Sequence, residues 1–572
     1  MKKNAKLTRT YSTFRDAKLA NRLKDEELKS IFDSLDKSNQ GFITTNLLKK
    51  VLVDEGLGKG IVKKAVDTLD QDKDDKIFAA DFLRLKEMKT DIIERALTGR
   101  VAIPDWADFI NNLKEIYEHC EALETGQNAQ YIPQLARVNS NQFGIAVQTV
   151  DGQIWTHGDA DVPFTLQSCS KPITYCIAEG DRGEEKMMRH VGHEPSGRKF
   201  NAFELDERNP AEKKPFNPMI NAGAIVTASL LKPDYEPADR FGYVQTVWQR
   251  LSDRGDGQPT TIGFDNATYL SELRHADRNF ALSYFMKGEG VFDKSVNSDE
   301  RVRAHLEFYL QLCSMTGTTR DMASVASALA NGGTNPITKE KIFPAACVRN
   351  CLSIMFSCGM YDYSGEFAYS VGLPAKSGVS GCVMVVVPNL LGMCIWSPRI
   401  DDQGNSVRAV EFCKQLTSRY AFHVFDDVIS CSEGSQKKNP RLRQATNKEI
   451  NVISEFIFAA ANGNLTRVME LVLAGTSVNV ADYDGRAALH LAAAEGRLKV
   501  AEYLVNKGAN VLVRDRWGAT PFDEAVRAGH KDLAALLERA GNERKAAPDS
   551  APESDVVTPI ADGHSPRLVE TA

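Results

Sequence analysis

Hydrophobic positions change their period several times along this chain, and each change marks a different kind of element. Between Glu26 and about Leu85, helical patterns flank two acidic loops, which predicts two consecutive helix-loop-helix units. From Gly144 to Trp155 apolar and polar residues alternate as in a strand, after Lys171 the spacing becomes helical, and Val302 to Ala330 reads as one long helical stretch. The richest apolar run, Gly381 to Trp396, is interrupted by Pro388, so it predicts two buried strands and is too short to span a membrane. This mixture predicts an α/β layered domain in which helices cover an antiparallel sheet.

The flanking regions are repetitive. In the first acidic loop Asp36 opens and Gly41 takes the sixth position, but Leu47 at the twelfth lacks the carboxylate that closes a calcium sphere. In the second, Asp70, Asp72, Asp74 and Asp81 fill positions one, three, five and twelve, while Asp75 stands where the turn glycine belongs. The segment resembles an EF-hand pair, for which a structural or dimer-forming role is expected. Near the other end, Gly463, Gly496 and Gly529 are 33 residues apart, as are Gly485 and Gly518, which is the ankyrin period. Asp484-Gly485-Arg486-Ala487-Ala488-Leu489-His490-Leu491-Ala492 resembles the ankyrin consensus, and Thr520-Pro521 completes it in the next copy. About three helix pairs are expected from Ile453 to Ala540, forming a binding surface or spacer without chemistry, with His490 in a structural role.

Composition narrows the picture only modestly. At 572 residues the chain needs several cores, and 42% hydrophobic and 26% charged residues with a net charge of −6 give no global reason to bind nucleic acid or a membrane surface. The 11 cysteines are scattered without C-x-x-C pairs, which fits reduced thiols and a cytoplasmic setting. The basic N-terminus, with Lys2, Lys3, Lys6, Arg9, Arg15, Lys18, Arg22 and Lys24, reads as a disordered tail, the alternative being a remnant of mitochondrial targeting. A solvated linker is expected around Lys437, Lys438, Arg441, Arg443 and Lys448, and disorder after Asn542, where large apolar residues become rare.

Chemistry belongs to the middle of the chain. Ser168-Cys169-Ser170-Lys171 places a serine and a lysine one helical turn apart, where a buried amine of lowered pKa can act as base for the hydroxyl. The same spacing recurs at Ser34 and Lys37, Ser196 and Lys199, Ser229 and Lys232, and Ser435 and Lys438, so context must decide. Only the Ser168 pair is followed, after a helical region, by Lys376-Ser377-Gly378 leading into the apolar strand Cys382 to Val387, the partner that serine β-lactamases and penicillin-binding proteins set beside their nucleophile.

Six dispersed stretches then acquire a common meaning: Tyr131 to Ala136, Leu166 to Cys169, Asn217 to Ala224, Asp277 to Phe280, Ser357 to Asp362 and Ala375 to Val379. Together they resemble the glutaminase family, and the flanks are similar to those of its long kidney- and liver-type members. The resemblance implies a β-lactamase-like catalytic domain that hydrolyses L-glutamine to L-glutamate and ammonia through an acyl-enzyme. It implies Ser168 as nucleophile, Lys171 as base, Tyr361 sharing proton transfer, and an oxyanion hole of the Ser168 and Val379 N–H groups. Glu272 would face the substrate ammonium, and Tyr131, Gln167, Asn221, Asn279 and Tyr309 would hold its carboxylate and amide. No cofactor or metal is called for, and a homo-oligomer, dimer or tetramer, with a possible protein partner on the ankyrin repeats, is expected. One departure bears on regulation: Phe200-Asn201 is followed by Ala202-Phe203-Glu204-Leu205, a charge where kidney-type members are apolar, so phosphate activation and filament formation do not carry over.

The expected division is a tail at 1–25, an EF-hand-like domain at 26–119, the catalytic domain at 120–431, a linker at 432–449, ankyrin repeats at 450–541 and a tail at 542–572. Two rival readings remain open. A β-lactamase or D,D-peptidase would share the fold and cleave β-lactams, whereas an ankyrin scaffold around a dead enzyme would show damage at Ser168, Lys171 or Lys376, all of which are intact.

Overall fold

The computed structural model describes residues 25–546 apart from 37, 88–90, 198–201, 210–212, 256–258, 294–296, 427–436, 442–446, 474–475 and 483. The basic segment before Asp25, most of the C-terminal tail and Lys37, Lys199, Ser435 and Arg443 lie outside the described residues. Contacts divide the chain into two units, the second beginning in essence at Arg443.

At the centre of the first unit is a five-stranded antiparallel sheet in the order Ile154–Gly158, Gly144–Thr149, Leu391–Trp396, Cys382–Val387, Ala375–Gly378. Pro388 ends the fourth apolar run as expected, and Asn389 turns the chain with φ 60°, so that Leu391 pairs with Val387 and Trp396 with Cys382. Period two distributes these strands between two cores. Ala146, Cys382, Met384, Val386, Cys394 and Trp396 face one core with the helices Lys171–Arg182, Asn221–Ser229, Asp299–Cys313 and Thr319–Ala330. Ile145, Val147, Val383, Val385, Met393 and Ile395 face the other, covered by Trp106–Glu121 and Val407–Arg419. Both faces are thus buried, which explains why the central strands read as continuous apolar runs.

Several expected boundaries shift. The stretch from Val302 to Ala330 is two helices, separated by the short strand Met315–Gly317 that pairs with Phe164–Thr165 and Gly263–Phe264. Thr318 restarts the helix, its hydroxyl accepting from Asp321 N–H while Asp321 accepts from Thr318 N–H, a reciprocal cap strong enough to interrupt the apolar periodicity. The boundary at 119/120 falls inside the helix Trp106–Glu121, whose stripe of Trp106, Phe109, Leu113, Ile116, Tyr117 and Cys120 belongs to the sheet core. Part of the expected linker is also held: Lys438 N–H donates to Arg419 O at 2.8 Å, and Lys437 and Lys438 pair with Asp426 and Asp108.

The N-terminal helices Asp25–Leu35, Thr45–Asp54 and Lys59–Leu69 enclose their own core, and the strands Phe42–Thr44 and Lys76–Phe78 join the two acidic loops. Asp75 itself adopts the left-handed turn, with φ 65°, a conformation that aspartate tolerates better than most residues. Ile154 N–H donates to Gly56 O and the Gln153 amide to Glu55 O, fixing this helical body to the edge of the central sheet.

Among its described residues the second unit contains three helix pairs, Asn447–Ala461 with Leu465–Leu473, Ala488–Ala494 with Leu498–Asn506, and Pro521–Ala528 with Lys531–Ala546. The last helix runs past the expected end at 541 because Glu543, Arg544, Lys545 and Ala546 all favour helix. His490 is enclosed, accepting from Ala487 N–H at 3.1 Å with its other nitrogen 3.2 Å from Ala519 O, which ties two repeats together.

Close approach of the sheet to the helix Thr319–Ala330 requires Gly392, where an added Cβ would lie 2.1 Å from Ser327 N. Gly392→Ala is expected to destabilise the first unit by about 1–3 kcal/mol or more, as overpacking does, read as a lower urea midpoint. Calcium should have no such leverage: Leu47 offers no ligand, and Asp81 already accepts from Phe78 N–H at 2.9 Å and pairs with Arg84 at 3.1 Å. Micromolar calcium is expected to leave Tm unchanged; a calorimetric binding signal abolished by Asp70→Ala would contradict this.

Candidate active site

Ser168 lies in the 3-10 turn Gln167–Ser170, and Lys171 is the first residue of the helix that follows. The turn is entered through Gln167 at φ 49°, a left-handed conformation that costs a non-glycine residue about 1–2 kcal/mol. Its effect is to lift Ser168 toward the solvent-facing side while Cys169 and Ser170 turn into the core.

Lys171 is buried, and its Nζ donates to Ser168 Oγ at 3.0 Å and to Asn221 Oδ1 at 2.8 Å. No carboxylate pairs with it among the described residues. Burial therefore lowers its pKa to about 8, so a substantial fraction is neutral amine near physiological pH. The competing Ser229 and Lys232 are occupied elsewhere, Ser229 Oγ donating to Val226 O and Lys232 pairing with Asp181 at 3.1 Å.

Asn221 is held from three sides. Its Oδ1 accepts from Lys171 and, at 3.3 Å, from the Tyr309 hydroxyl, and its Nδ2 donates to Asn279 Oδ1 at 3.1 Å. Asn221 begins the helix Asn221–Ser229, Tyr309 comes from Asp299–Cys313 and Asn279 from Asp277–Gly288. A second cluster surrounds Glu272, whose Oε1 accepts from the Tyr131 hydroxyl at 2.6 Å and from Gln167 Nε2 at 3.0 Å. Glu272 is buried without a lysine or arginine partner among the described residues, and burial raises its pKa against the lowering effect of those two hydrogen bonds. A buried carboxylate in this state is a receptor for a cation.

Tyr361 closes the site from the opposite side. It too has a left-handed backbone, φ 54°, and a hydrogen bond with Ser168 tempers the upward shift that burial imposes on its hydroxyl. Val379 follows Gly378, at which an added Cβ would lie 3.0 Å from Leu166 O and 3.5 Å from Cys169 N. The strand end thus rests on the serine turn at Leu166 and Cys169. Nine of the ten candidate residues share these contacts, and Val379 adjoins them through Gly378. A residue outside that set, Lys376, is fully buried next to Tyr361; its signal was the Lys-Ser-Gly run before the strand.

A family model described as glutaminase matches residues 126–425, and one for ankyrin repeats in three copies matches 456–546. Putative glutaminase 2 of Caenorhabditis elegans is 44% identical over 451 residues, covering 79% of this chain and 72% of that protein. The mitochondrial liver isoform of glutaminase from Rattus norvegicus is 40% identical over 448 residues, covering 78% of this chain and 72% of its own. Among solved structures, Mglu is 36% identical with a TM-score of 0.51, over 55% of this chain and 76% of that one. Fold and site define a β-lactamase-like hydrolase with a Ser-x-x-Lys pair at the edge of its sheet. The chain belongs to the glutaminase family.

Proposed function

We propose that this chain hydrolyses L-glutamine to L-glutamate and ammonia, with Ser168 as nucleophile. The observation that carries the reading is the pairing of Lys171 with Ser168 at 3.0 Å, next to Gln167, whose side chain donates to a buried Glu272 that has no lysine or arginine partner among the described residues. Neutral Lys171 takes the Ser168 proton as Oγ attacks the side-chain carbonyl carbon. The oxyanion of the tetrahedral intermediate is held by the N–H groups of Ser168 and Val379. Lys171 and Tyr361 return a proton to the nitrogen, the C–N bond breaks and ammonia leaves, giving an ester of Ser168. Water then attacks that ester, with the same groups taking its proton and returning one to Ser168 Oγ, and glutamate is released. The substrate ammonium faces Glu272, while Tyr131, Gln167, Asn221, Asn279 and Tyr309 orient its carboxylate and amide.

The N-terminal helices form an EF-hand-like pair with a structural role, and the ankyrin repeats receive a protein partner or space the subunits of a homo-oligomer, dimer or tetramer. Glu204 is exposed beside Phe203, which packs on Phe285, so a charge borders that apolar contact. The mitochondrial name of the rat relative favours the organelle over the cytoplasm for this chain.

Ser168→Ala should fold normally and lose about 10⁶-fold in kcat, as nucleophile removal typically does, with Lys171→Ala almost as damaging. Retention of a tenth of wild-type ammonia release by either would remove that residue from its role. Because Lys171 must be neutral to accept a proton, kcat/KM should rise with pH through about 8 toward an alkaline plateau. A profile that is flat between neutrality and pH 9 would contradict Lys171 as base. Glu272 and Ser168 together measure the length of the substrate: asparagine, one methylene short, should be used about 100-fold less well, because it misplaces its carbonyl. Glu272→Gln should lose on the order of 2–5 kcal/mol in kcat/KM for glutamine, the range for breaking a buried charge pair. Equal use of both amides by wild type would refute this binding mode.

A further inference from the structure

Tyr361 leans on a loop that takes no part in the reaction scheme. Residues 401–405 close on themselves: Asp401 N–H donates to Asn405 O at 2.8 Å, Gly404 N–H donates to Asp401 O at 3.0 Å, and Asp401 Oδ1 accepts from the N–H groups of Gln403 and Asn405, both at 2.9 Å. Both ends are anchored. Ile400 exchanges backbone hydrogen bonds with Gln127 at 2.9 and 3.1 Å, and Ser406 Oγ donates to Ser397 O at 2.9 Å. Gly404 turns with φ 91°, and a Cβ added there would lie 3.5 Å from Tyr361 Cε2 and 3.8 Å from Val379 Cγ1. The loop therefore rests against two residues of the site.

Its last residue reaches further. Asn405 has no exposed surface; its Nδ2 donates to Met360 O at 3.3 Å, and its Oδ1 accepts no hydrogen bond among the described residues. An amide buried with one group unmatched is a costly choice where an apolar side chain of the same shape would fit, so the donor is what the position uses. The carbonyl it holds belongs to the planar unit that joins Met360 to Tyr361, and the φ angle of Tyr361 is the rotation between that unit and its own Cα. Within the turn, Met360 N–H donates to Ser364 Oγ at 3.0 Å and Met360 O accepts from Tyr363 N–H at 3.1 Å. Asn405 adds a contact from outside the turn. A carbonyl pinned to an anchored loop cannot swing as φ relaxes from 54° toward right-handed values. A strained conformation of this kind persists only where its surroundings over-determine it, and here it carries the hydroxyl that is hydrogen-bonded with Ser168.

We propose that Asn405 is a positioning residue: by holding the Met360 carbonyl it fixes the left-handed backbone of Tyr361, and with it the direction in which the Tyr361 hydroxyl meets Ser168. Its side chain makes no hydrogen bond to Ser168, Lys171 or Glu272, and its effect reaches the reaction through Tyr361. The inference rests on the glutaminase reading, because ammonia release is where that effect is seen.

The test compares Asn405→Leu, Tyr361→Phe and the double variant in the full chain, by ammonia release from glutamine and by thermal melting. Asn405→Leu keeps the shape of the side chain and removes the donor, while Met360 O retains its bond from Tyr363 N–H. Its kcat is expected to fall about 10- to 100-fold, the upper end being the scale of a misplacement of about 1 Å, with KM close to wild type because the groups that hold the substrate are untouched. Its Tm should stay at the wild-type value, since replacing a half-satisfied buried amide by an apolar group of like shape is nearly neutral. If Asn405 acts through Tyr361, the double variant loses little beyond the poorer single variant, because residues coupled in one pathway are not additive. An unchanged kcat in Asn405→Leu, losses that multiply in the double variant, or a fall in kcat that comes with a raised KM and a lowered Tm would each overturn the proposal. If the Leu variant does not fold, Asn405→Ala is judged by its kcat and by the same double variant. A wild-type chain that releases no ammonia from glutamine defeats the functional reading itself, whereas an active wild type with an equally active Asn405 variant defeats only this inference.

Discussion

A lysine amine enclosed beside a serine, with no carboxylate paired to it among the described residues, is the constraint around which this domain is arranged. In water Lys171 would be an ammonium with no capacity to accept a proton; in the protein, burial holds it near 8. That result requires a closed environment on every side. The sheet supplies one wall through the strand end at Gly378, the helix Asn221–Ser229 a second through Asn221, and Asp299–Cys313 a third through Tyr309. The carbonyl and hydroxyl oxygens that receive its protons keep the amine oriented without stabilising its charge enough to restore the ordinary value. A carboxylate in place of Asn221 would do so, and the base would be lost.

The same physical logic, with the sign reversed, applies on the other side of the pocket. Glu272 is a buried carboxylate whose neighbours, Tyr131 and Gln167, donate hydrogen bonds but bring no positive charge. The protein leaves an electrostatic deficit at one end of the pocket and a proton acceptor at the other, and a free amino acid amide has the ammonium and the reactive carbonyl to match both. Binding and chemistry thus draw on one low-dielectric volume, where each interaction is worth more than at the surface.

Two of the left-handed backbones lie where this arrangement needs them. Gln167 and Tyr361 both adopt left-handed backbones, and they flank Ser168 in space although they are far apart in sequence. One presents the nucleophile and the Glu272 ligand, the other aims a hydroxyl at Ser168. Seams of ordinary hydrogen bonds hold them, including Ser377 N–H to Gly359 O and the Lys376 contacts. The N-terminal helices rest on the sheet edge, and the ankyrin repeats form a second unit of stacked helix pairs.

Much of this was legible in the residues alone. The alternation from Gly144 to Trp155, the apolar run Cys382 to Val387 with its stop at Pro388, the ankyrin glycines and the Ser-x-x-Lys run are local patterns, and local patterns report local structure because backbone geometry and side-chain spacing are set within a few residues. The break at Thr318 was hidden, since a reciprocal cap of two small polar residues is a weak signal inside an apolar stretch, and Trp106–Glu121 belongs to the sheet core only because its stripe meets strands far along the chain. Sequence pattern nominated Ser168 and Lys171, and resemblance supplied the names of their companions. What only the tertiary structure decided is the environment: that, among the described residues, no carboxylate pairs with the buried Lys171 and no lysine or arginine with the buried Glu272, and that Lys376 reaches two carbonyls on separate segments. Burial and charge pairing are sums over every neighbour in space, and those neighbours come from parts of the chain that no short stretch of sequence contains.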